Sequence, residues 1–212
     1  MELKDKIIVV TGGASGIGRE MCRRFAREGA KKVIVADLNG EGAAAVAAEF
    51  GGHSMAVDVR NESEIIELIN STETQFGPID LFCSNAGIGI GKNIDEPDEV
   101  WQTIWEVNTM AHVWAARHLV PLMIARGGGY LLNTSSAAGL LNQIGSVTYP
   151  VTKHAAVALA EWLSNPYYDQ GINVSMLCPQ AVRTAMTARG AGVAGVAAMI
   201  NPDRPAVVGG TI

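Results

Sequence analysis

Short runs of apolar, mostly β-branched residues alternate along the chain with segments whose apolar positions recur at helical spacing. The runs predict strands at residues 6–11, 32–37, 53–58, 79–85, 129–136 and 172–179. The helical segments lie at residues 18–29, 41–50, 62–76, 98–126 and 149–168. Strands that are apolar throughout are buried on both faces, and strands that alternate with helices run parallel. The pattern therefore predicts an α/β fold: a Rossmann-type doubly wound parallel sheet of six or seven strands with helices on both faces.

The composition is that of a globular protein and argues against some partners. Of the 212 residues, 48% are hydrophobic and 17% are charged, which predicts one domain over residues 1–212. A net charge of -5 repels a phosphate backbone, so we expect no nucleic-acid binding. The N-terminus lacks the apolar core of a signal peptide, and polar residues interrupt the longest apolar region, 107–125, so we expect no membrane span. The three cysteines show no metal-ligand spacing and suit a reducing compartment, which predicts a cytoplasmic protein without a metal.

A glycine-rich turn, TGGASGIG at residues 11–18, joins the first strand to the first helix. Gly12, Gly16 and Gly18 permit a tight turn, a close approach of backbone to a pyrophosphate, and close packing of helix on strand. The free amides of the helix N-terminus, around Ser15 and Ile17, then point at the phosphates. A turn of this kind also occurs as a plain connection, but its place between a strand and a helix favours a dinucleotide site.

Asp37, at the end of the second strand, indicates which dinucleotide binds. A carboxylate there accepts hydrogen bonds from both ribose hydroxyls of an adenosine and repels a 2′-phosphate. Leu38 and Asn39 follow, and neither is basic, so NAD is favoured over NADP. Without the glycines, Asp37 would be interpreted as an ordinary acid at the end of a surface strand.

A tyrosine and a lysine lie one helical turn apart in SVTYPVTKH, residues 146–154. Tyr149 and Lys153 share a helix face, and Pro150 suits a first helical turn. An ammonium and a helix N-terminus both favour a phenolate, so we expect the pKa of Tyr149 to be lowered from its usual value of about 10. Such a tyrosine exchanges a proton with an alcohol or a ketone. The alternative is an ordinary Tyr–Lys surface pair.

Two polar residues elsewhere support the catalytic interpretation. Ser136 ends the fifth predicted strand, where ligands bind in an open parallel sheet, and its hydroxyl would stabilise charge on a substrate oxygen. Ser135 is the competing hydroxyl, although alternation sends the two side chains to opposite faces. Asn108 lies within the long apolar helix and needs a polar partner. It either caps a local backbone kink or holds a water molecule next to Lys153.

Together these pieces resemble the short-chain dehydrogenase/reductase family of single-domain NAD(P)-dependent oxidoreductases. The matching pieces follow the family's order through most of the chain: TGGASGIG, Asp58 after the third strand, SNAG at 84–87, Asn108, Ser136, YPVTK at 149–153 and CPQAVRT at 178–184.

The resemblance implies a role for each matching residue. Tyr149 would be the general acid/base, Ser136 would polarise the carbonyl, Lys153 would bind the nicotinamide ribose and lower the pKa of the tyrosine, and Asn108 would hold a water molecule in a proton relay. The implied cofactor-binding residues are Gly12, Ser15, Gly16, Ile17, Gly18, Asp37, Leu38, Asp58, Val59, Asn85, Ala86, Gly87, Tyr149, Lys153, Pro179, Val182 and Thr184.

The sequence departs from the family pattern at three places. Ser84 replaces the first Asn of the usual NNAG, and Gln180 replaces the glycine of the usual Pro-Gly. The segment after Ala188 is shorter than the usual substrate lid, helix and seventh strand. Its Gly/Ala-rich part, 188–199, is interpreted as a mobile lid or as a disordered tail, and PAVVGGTI, 205–212, as a remnant strand.

The substrate and the assembly are expectations of the same kind. Candidate pocket residues are mostly apolar, which predicts a hydrophobic secondary alcohol or ketone, with plain loop packing as the alternative. They are Ala137, Ala138, Leu140, Gln143, Ile144, Gln180 and Met186. The apolar helices at 98–126 and 149–168 predict a homodimer or homotetramer.

Two hypotheses for function follow. The first is an NAD-dependent oxidoreductase that interconverts a secondary alcohol and a ketone, with Tyr149 as general acid/base. The second is an NAD-binding sensor or scaffold that catalyses weakly or not at all; the shortened C-terminal segment favours it, and the retained Ser136, Tyr149 and Lys153 argue against it.

Overall fold

The computed structural model describes residues 1–141, 143, 145–180, 182, 184 and 186. The strands are β1 (Ile7–Thr11), β2 (Lys32–Asp37), β3 (His53–Ala56), β4 (Leu81–Ser84), β5 (Gly129–Thr134) and β6 (Ile172–Leu177). The α-helices are α1 (Gly16–Arg27), α2 (Gly40–Ala48), α3 (Glu62–Phe76), α4 (Asp98–Trp105), α5 (Ala111–Ala125) and α6 (Thr148–Ser164). A π-helical turn, Glu106–Met110, joins α4 to α5, and short 3₁₀ helices lie at Ala137–Gly139 and Tyr168–Gln170.

The six strands form one parallel sheet in the order β3-β2-β1-β4-β5-β6. The chain adds β2 and β3 on one side of β1, then crosses to the other side of β1 and adds β4, β5 and β6. The carboxyl ends of β1 and β4 therefore diverge into a crevice, which is where open parallel sheets bind ligands. The predicted doubly wound α/β fold is confirmed.

Apolar side chains pack on both faces of the sheet. On one face, residues of β1, β2, β4 and β5 pack against α3, α5 and the end of α6. On the other face, alternate residues of β1, β2 and β4 pack against α1 and α2. The central β1 is buried at every position, as its uninterrupted apolar sequence predicts.

The long helix predicted at 98–126 is not continuous. The π-helical turn interrupts it, and Asn108 lies within that turn. The Asn108 side chain hydrogen-bonds both to the N–H and to the C=O of Ile88, in the loop after β4, rather than to its own helix. Apolar periodicity cannot reveal this interruption, because the partner of Asn108 comes from a distant part of the chain. Pi-helical turns of this kind are frequent at functional sites.

Two other predicted boundaries are wrong by a few residues. Helix α6 ends at Ser164 rather than near residue 168, because Pro166 has no N–H with which to continue the hydrogen-bond ladder. Strand β5 ends at Thr134, so Ser136 lies just beyond the strand rather than at its end. Ser136 instead caps the 3₁₀ helix at Ala137–Gly139, where its Oγ accepts a hydrogen bond from the N–H of Ala138 at 3.1 Å.

Among the described residues, no helix combines the length and the apolar character that crossing a bilayer requires.

Candidate active site

A cavity of about 540 Å³ lies at the carboxyl ends of the strands. It brings together most of the residues predicted to bind a cofactor. Those that line it are Gly12, Ser15, Gly16, Ile17, Asp37, Leu38, Asp58, Val59, Asn85, Ala86, Gly87, Tyr149, Lys153, Pro179 and Thr184. Gly18, Val182, Asn108 and Ser136, also predicted, are not among its lining residues. Four positions of the glycine-rich turn and the Tyr149–Lys153 pair therefore line one space although they are distant in sequence.

The glycine-rich turn packs too closely for side chains. Gly12 has φ of +66°, and a Cβ there would lie 2.8 Å from the Cα of Ala86. A Cβ on Gly18 would lie 2.2 Å from the carbonyl oxygen of Gly12, so Gly18 lets α1 pack against the turn from below the cavity. Helix α1 begins at Gly16, and the side chain of its N-cap residue Ser15 does not hydrogen-bond to the first amides. The start of α1 is therefore suited to bind an anion.

Asn85 joins three strand ends beneath the cavity. Its Nδ2 donates to the carbonyl of Thr11 at 3.0 Å, and its Oδ1 accepts from the hydroxyl of Thr134 at 3.1 Å. The side chain thus links β4 to β1 on one side and to β5 on the other. Thr11 Oγ1 in turn accepts a hydrogen bond from the N–H of Asn85 at 3.0 Å. The replacement of the family's preceding Asn by Ser84 leaves this arrangement in place.

The carboxylate of Asp37 faces the glycine-rich turn. It accepts hydrogen bonds from the N–H of Ala14 at 3.0 Å and from the N–H of Asn39 at 2.9 Å. Leu38 follows with 71% of its surface exposed. A ribose at this edge of the cavity would meet a carboxylate already held in place by backbone amides.

Asp58 forms an ion pair with Arg60, a residue that sequence analysis did not identify. The Arg60 guanidinium contacts the Asp58 carboxylate at 2.6 Å, and this hydrogen bond lowers the pKa of the carboxyl below its usual value. Arg60 also lines the cavity. The sequence could have indicated Arg60, because it follows Asp58 by two residues and a side chain at that position can reach back to the end of the strand.

The catalytic end of the cavity lies at the N-terminus of α6. Tyr149 is in the first turn of that helix, with Lys153 one turn further on. The Lys153 Nζ lies 5.7 Å from the centre of the Tyr149 ring and donates to the carbonyl of Thr134 at 2.9 Å. The two side chains therefore share one environment, and Lys153 is buried rather than on the surface.

The predicted direction of the Tyr149 pKa is wrong. Burial raises the pKa of the phenol above its usual value, and a hydrogen bond with Ser136 opposes that rise only in part. The Lys153 ammonium donates to the Thr134 carbonyl, and burial is the larger influence on the pKa of the phenol. Burial also lowers the pKa of Lys153 to about 8. At neutral pH the pair is a neutral phenol beside an amine that is mostly protonated.

The contacts of Asn108 agree with the predicted local kink, since the residue lies in the π-helical turn, and its water-holding role stays a prediction. The residue is fully buried, its Oδ1 accepts from the N–H of Ile88, and its Nδ2 donates to the carbonyl of Ile88 and to the hydroxyl of Thr152 at 3.1 Å. The amide therefore joins the π-helical turn to a distant loop and to α6, with both of its N–H groups used. The space beside Gly87 is nonetheless flanked by Asn108 and Lys153, since a Cβ there would lie 3.4 Å from Asn108 Oδ1 and 3.3 Å from Lys153 Nζ.

The side chains of Ser135 and Ser136 have different partners, as the alternation of side chains along a strand predicts. The Ser135 hydroxyl donates to the carbonyl of Lys153 at 2.8 Å, whereas Ser136 interacts with Tyr149. Thr184 lies against the glycine-rich turn, because a Cβ on Gly16 would come within 3.3 Å of its methyl group. Thr184 also lines the cavity, whereas Val182 is not among the lining residues.

The predicted substrate pocket is only partly assembled. Met186 lines the cavity, whereas Ala137, Ala138, Leu140, Gln143 and Gln180 are not among its lining residues. Leu140 is 56% exposed. Ile144, the predicted lid at 188–199 and the predicted remnant strand at 205–212 lie outside the described residues. Ser135, the competing hydroxyl, lines the cavity, as do residues that sequence analysis did not propose: Val57, Arg60, Ile88, Thr103, Val107 and Thr134.

Comparison with known proteins shows the same arrangement in a large family. The family described as short chain dehydrogenase matches residues 6–191. The chain belongs to the short-chain dehydrogenase/reductase family. It is therefore an oxidoreductase of that family, whose members act on hydroxyl and ketone groups.

Individual relatives show how far the similarity extends. A 1-deoxy-11-beta-hydroxypentalenate dehydrogenase from Streptomyces exfoliatus is 38% identical over 206 residues, which cover 91% of this chain and 74% of the relative. A 3beta-hydroxysteroid dehydrogenase 2 from Eggerthella lenta is 33% identical over 190 residues, which cover 86% of this chain and 73% of the relative. The chain spans about three quarters of the length of these short-chain dehydrogenases.

The fold of this chain is also similar to that of a solved structure. A short-chain dehydrogenase/reductase from Burkholderia phymatum, crystallised in complex with NAD, superimposes with a TM-score of 0.83 at 29% identity. The match covers 88% of this chain and 69% of that structure.

Proposed function

We propose that this short-chain dehydrogenase/reductase is an NAD-dependent enzyme that interconverts a hydrophobic secondary alcohol and the corresponding ketone, with Tyr149 as general acid/base. The observation that carries the proposal is the meeting of Tyr149 and Lys153 with the glycine-rich turn and Asp37 in one cavity. Similarity to a structure solved with NAD supports the choice of cofactor.

The residues present fit a nicotinamide dinucleotide. The uncapped amides at the start of α1 would hold the diphosphate, Asp37 would accept from the adenosine ribose, and Asp58 with Val59 would meet the adenine. The negative charge of Asp37 disfavours a 2′-phosphate, and this favours NAD over NADP. When bound, the nicotinamide accepts a hydride from the alcohol carbon or returns it to the ketone carbon.

The protein's own groups move the proton. In ketone reduction the Tyr149 hydroxyl gives its proton to the oxygen that becomes the alcohol, and in oxidation the phenolate takes it back. Ser136 donates a hydrogen bond to the same oxygen, and the Lys153 ammonium stabilises the phenolate. The raised pKa of Tyr149 keeps the phenol protonated at neutral pH, which is the form that reduction needs.

Apolar residues of the cavity support the hydrophobic substrate. Ile88, Val107 and Met186 line the same cavity as Tyr149. The relatives named for hydroxypentalenate and hydroxysteroid substrates are consistent with an alcohol on a largely apolar skeleton.

The test follows NADH absorbance while purified protein is offered NAD, or NADP, with a panel of secondary alcohols of increasing apolar surface. We expect turnover with NAD and at least one apolar alcohol, and a loss of about a thousandfold or more in kcat for Tyr149→Phe, since general acid/base catalysis contributes about 10²–10⁴. NADH fluorescence should show the cofactor affinity of Tyr149→Phe largely unchanged. Undiminished turnover by that variant would refute the role of Tyr149, and binding of NAD without turnover of any alcohol would support a sensor instead.

We also propose a homodimer or homotetramer that uses the helices in 98–126 and 149–168. Trp105, Leu122 and Trp162 on these helices are 37%, 40% and 59% exposed, whereas Leu119 and Met123 are already covered within the protomer. A monomer by light scattering at micromolar concentration would contradict this. A cytoplasmic location and a single domain over residues 1–212 stay predictions from the sequence.

A further inference from the structure

Three buried hydroxyls hold backbone carbonyls in the first two turns of α6. Thr152 Oγ1 donates to the carbonyl of Tyr149 at 2.9 Å, and Thr109 Oγ1 donates to the carbonyl of Thr152 at 3.2 Å. Ser135 Oγ donates to the carbonyl of Lys153 at 2.8 Å. All three hydroxyl residues are buried, with Thr152 fully so. The part of the helix that carries Tyr149 and Lys153 is therefore held by side chains from two other segments and by one hydroxyl of α6 itself.

The Thr152 hydroxyl also accepts a hydrogen bond from the π-helical turn. Asn108 Nδ2 donates to Thr152 Oγ1 at 3.1 Å, while the other contacts of Asn108 go to Ile88. The Thr152 hydroxyl thus receives from the π-helical turn and donates to the carbonyl of Tyr149. Through Asn108 it is also connected to the loop after β4, which lines the cavity at Gly87 and Ile88.

We infer that Thr152 is a positioning residue for the proposed reaction: its hydroxyl sets the place of Tyr149 and Lys153 relative to Asn108. Lys153 is its neighbour in the chain, and Lys153 Nζ and Asn108 Oδ1 flank the same space beside Gly87. Thr152 is not among the residues that line the cavity, so it acts through the groups that it holds. This inference rests on the proposed function for its catalytic consequence.

Removal of the hydroxyl leaves a buried Asn108 N–H without a partner, and the surrounding groups must shift to satisfy it. A displacement of about 1 Å in catalytic geometry costs about a hundredfold in rate. The diphosphate and the adenosine ribose would be held by the glycine-rich turn and Asp37, whereas Lys153 would meet only the nicotinamide ribose. Loss of the Thr152 hydroxyl should therefore lower kcat more than it lowers cofactor affinity.

Thr152→Val keeps the shape of the side chain and removes the hydroxyl, and Thr152→Ser keeps the hydroxyl and removes the methyl group. We expect Thr152→Val to lower kcat about tenfold to a hundredfold, with the NADH dissociation constant within about twofold of the original. Thr152→Ser should restore kcat to within about threefold.

Thr109→Val is the matched control. It removes a buried hydroxyl from the same contact between the π-helical turn and α6, but that hydroxyl does not bond to Asn108 or to the carbonyl of Tyr149. Its kcat should stay within about threefold of the original. If Thr152→Val does not fold, Thr152→Cys takes its place, because a thiol of similar size forms only weak hydrogen bonds and should lower kcat in the same direction.

Crystal structures of the original protein and of the Thr152 variant separate this inference from the proposed function. We expect the Asn108 amide and the Lys153 Nζ to move in the variant. Unmoved side chains, an unchanged kcat, or an equal loss of kcat in Thr109→Val would each overturn the inference. If the original protein turns over no alcohol, the proposed function fails, and the displacement of Asn108 and Lys153 still decides whether Thr152 positions them.

Discussion

The two ends of the cavity are built differently. At the adenine end the side chains satisfy one another locally: Asp37 binds the backbone amides of Ala14 and Asn39, and Asp58 pairs with the partly exposed Arg60 two residues away. At the catalytic end Asn108 and Lys153 are buried, and their partners come from β5, the loop after β4 and α6.

The difference shows where a substitution will have a large effect. A group at the adenine end that loses its partner is still hydrated by water, so the cost in free energy is small. A buried group at the catalytic end that loses its partner bears the full cost of desolvation. The following substitutions test this contrast, beginning with the largest expected effect.

Lys153→Met should lower kcat by about a hundredfold or more, since the ammonium that stabilises the phenolate is removed. The side-chain volume is nearly kept, so the fold should persist. Initial rates of NADH formation measure the loss. A rate within about threefold of the original would show that Lys153 has no electrostatic role in the reaction.

The same variant should alter how stability depends on pH. Burial lowers the pKa of Lys153 from 10.5 in the unfolded chain to about 8, so the unfolded chain binds more protons between these values. The free energy of unfolding of the original protein should therefore gain up to about 3 kcal/mol from this residue as pH rises through the window. Below pH 8 the cost of the buried charge is fully present, and Lys153→Met should be the more stable protein there.

Denaturant unfolding of both proteins at pH 7 and at pH 10 measures this. Groups that titrate in both proteins cancel in the difference. A difference in the free energy of unfolding that is the same at both pH values would contradict the buried, weakly basic amine.

Asp37→Ala should weaken NAD binding about tenfold to a hundredfold, because hydrogen bonds from a ribose to a charged carboxylate are lost. NADP binding should weaken less or improve, since the repulsion of a 2′-phosphate is gone. Fluorescence titrations with NADH and NADPH measure both. Asp37→Asn is the control, because it keeps an acceptor for Ala14 N–H and removes the charge; it should improve the relative binding of NADPH while the turn stays intact.

Arg60→Ala should have the smallest effect, a change of less than about fivefold in NADH affinity. Its ion pair with Asp58 is partly exposed, and water replaces the guanidinium. A loss of kcat in Arg60→Ala as large as that in Thr152→Val would contradict the proposed difference between the two ends of the cavity.

Local sequence patterns predicted the elements of this fold well. The bounds of β2 and α3 agree with the structure, because each is a regular apolar pattern between polar or glycine breaks. The glycine-rich turn, Asp37 and the Tyr149–Lys153 pair were also found from spacing alone, since strand ends of a parallel sheet meet at one edge. Ser136 and Asn108 were found from a strand end and from a polar residue in an apolar helix, and the family resemblance then added Asp58 and the residues after β4 and β6.

Other features depend on contacts between distant segments. Asn108 indicated a local kink in the long helix, but its partner Ile88 comes from a distant loop that no pattern within 98–126 identifies. The pKa of Tyr149 was predicted in the wrong direction because burial, which sequence spacing does not measure, outweighs the nearby helix terminus and lysine.

The amino-acid sequence by itself determined the order of strands and helices, the glycine turn and the chemical groups available for proton transfer, because these depend on neighbours along the chain. Only the tertiary structure decided which of those groups are buried and what they bind. Burial and hydrogen-bond partners are properties of packed segments, and they determine that Thr152 connects Asn108 to the helix of Tyr149 and that Lys153 is a weakened base.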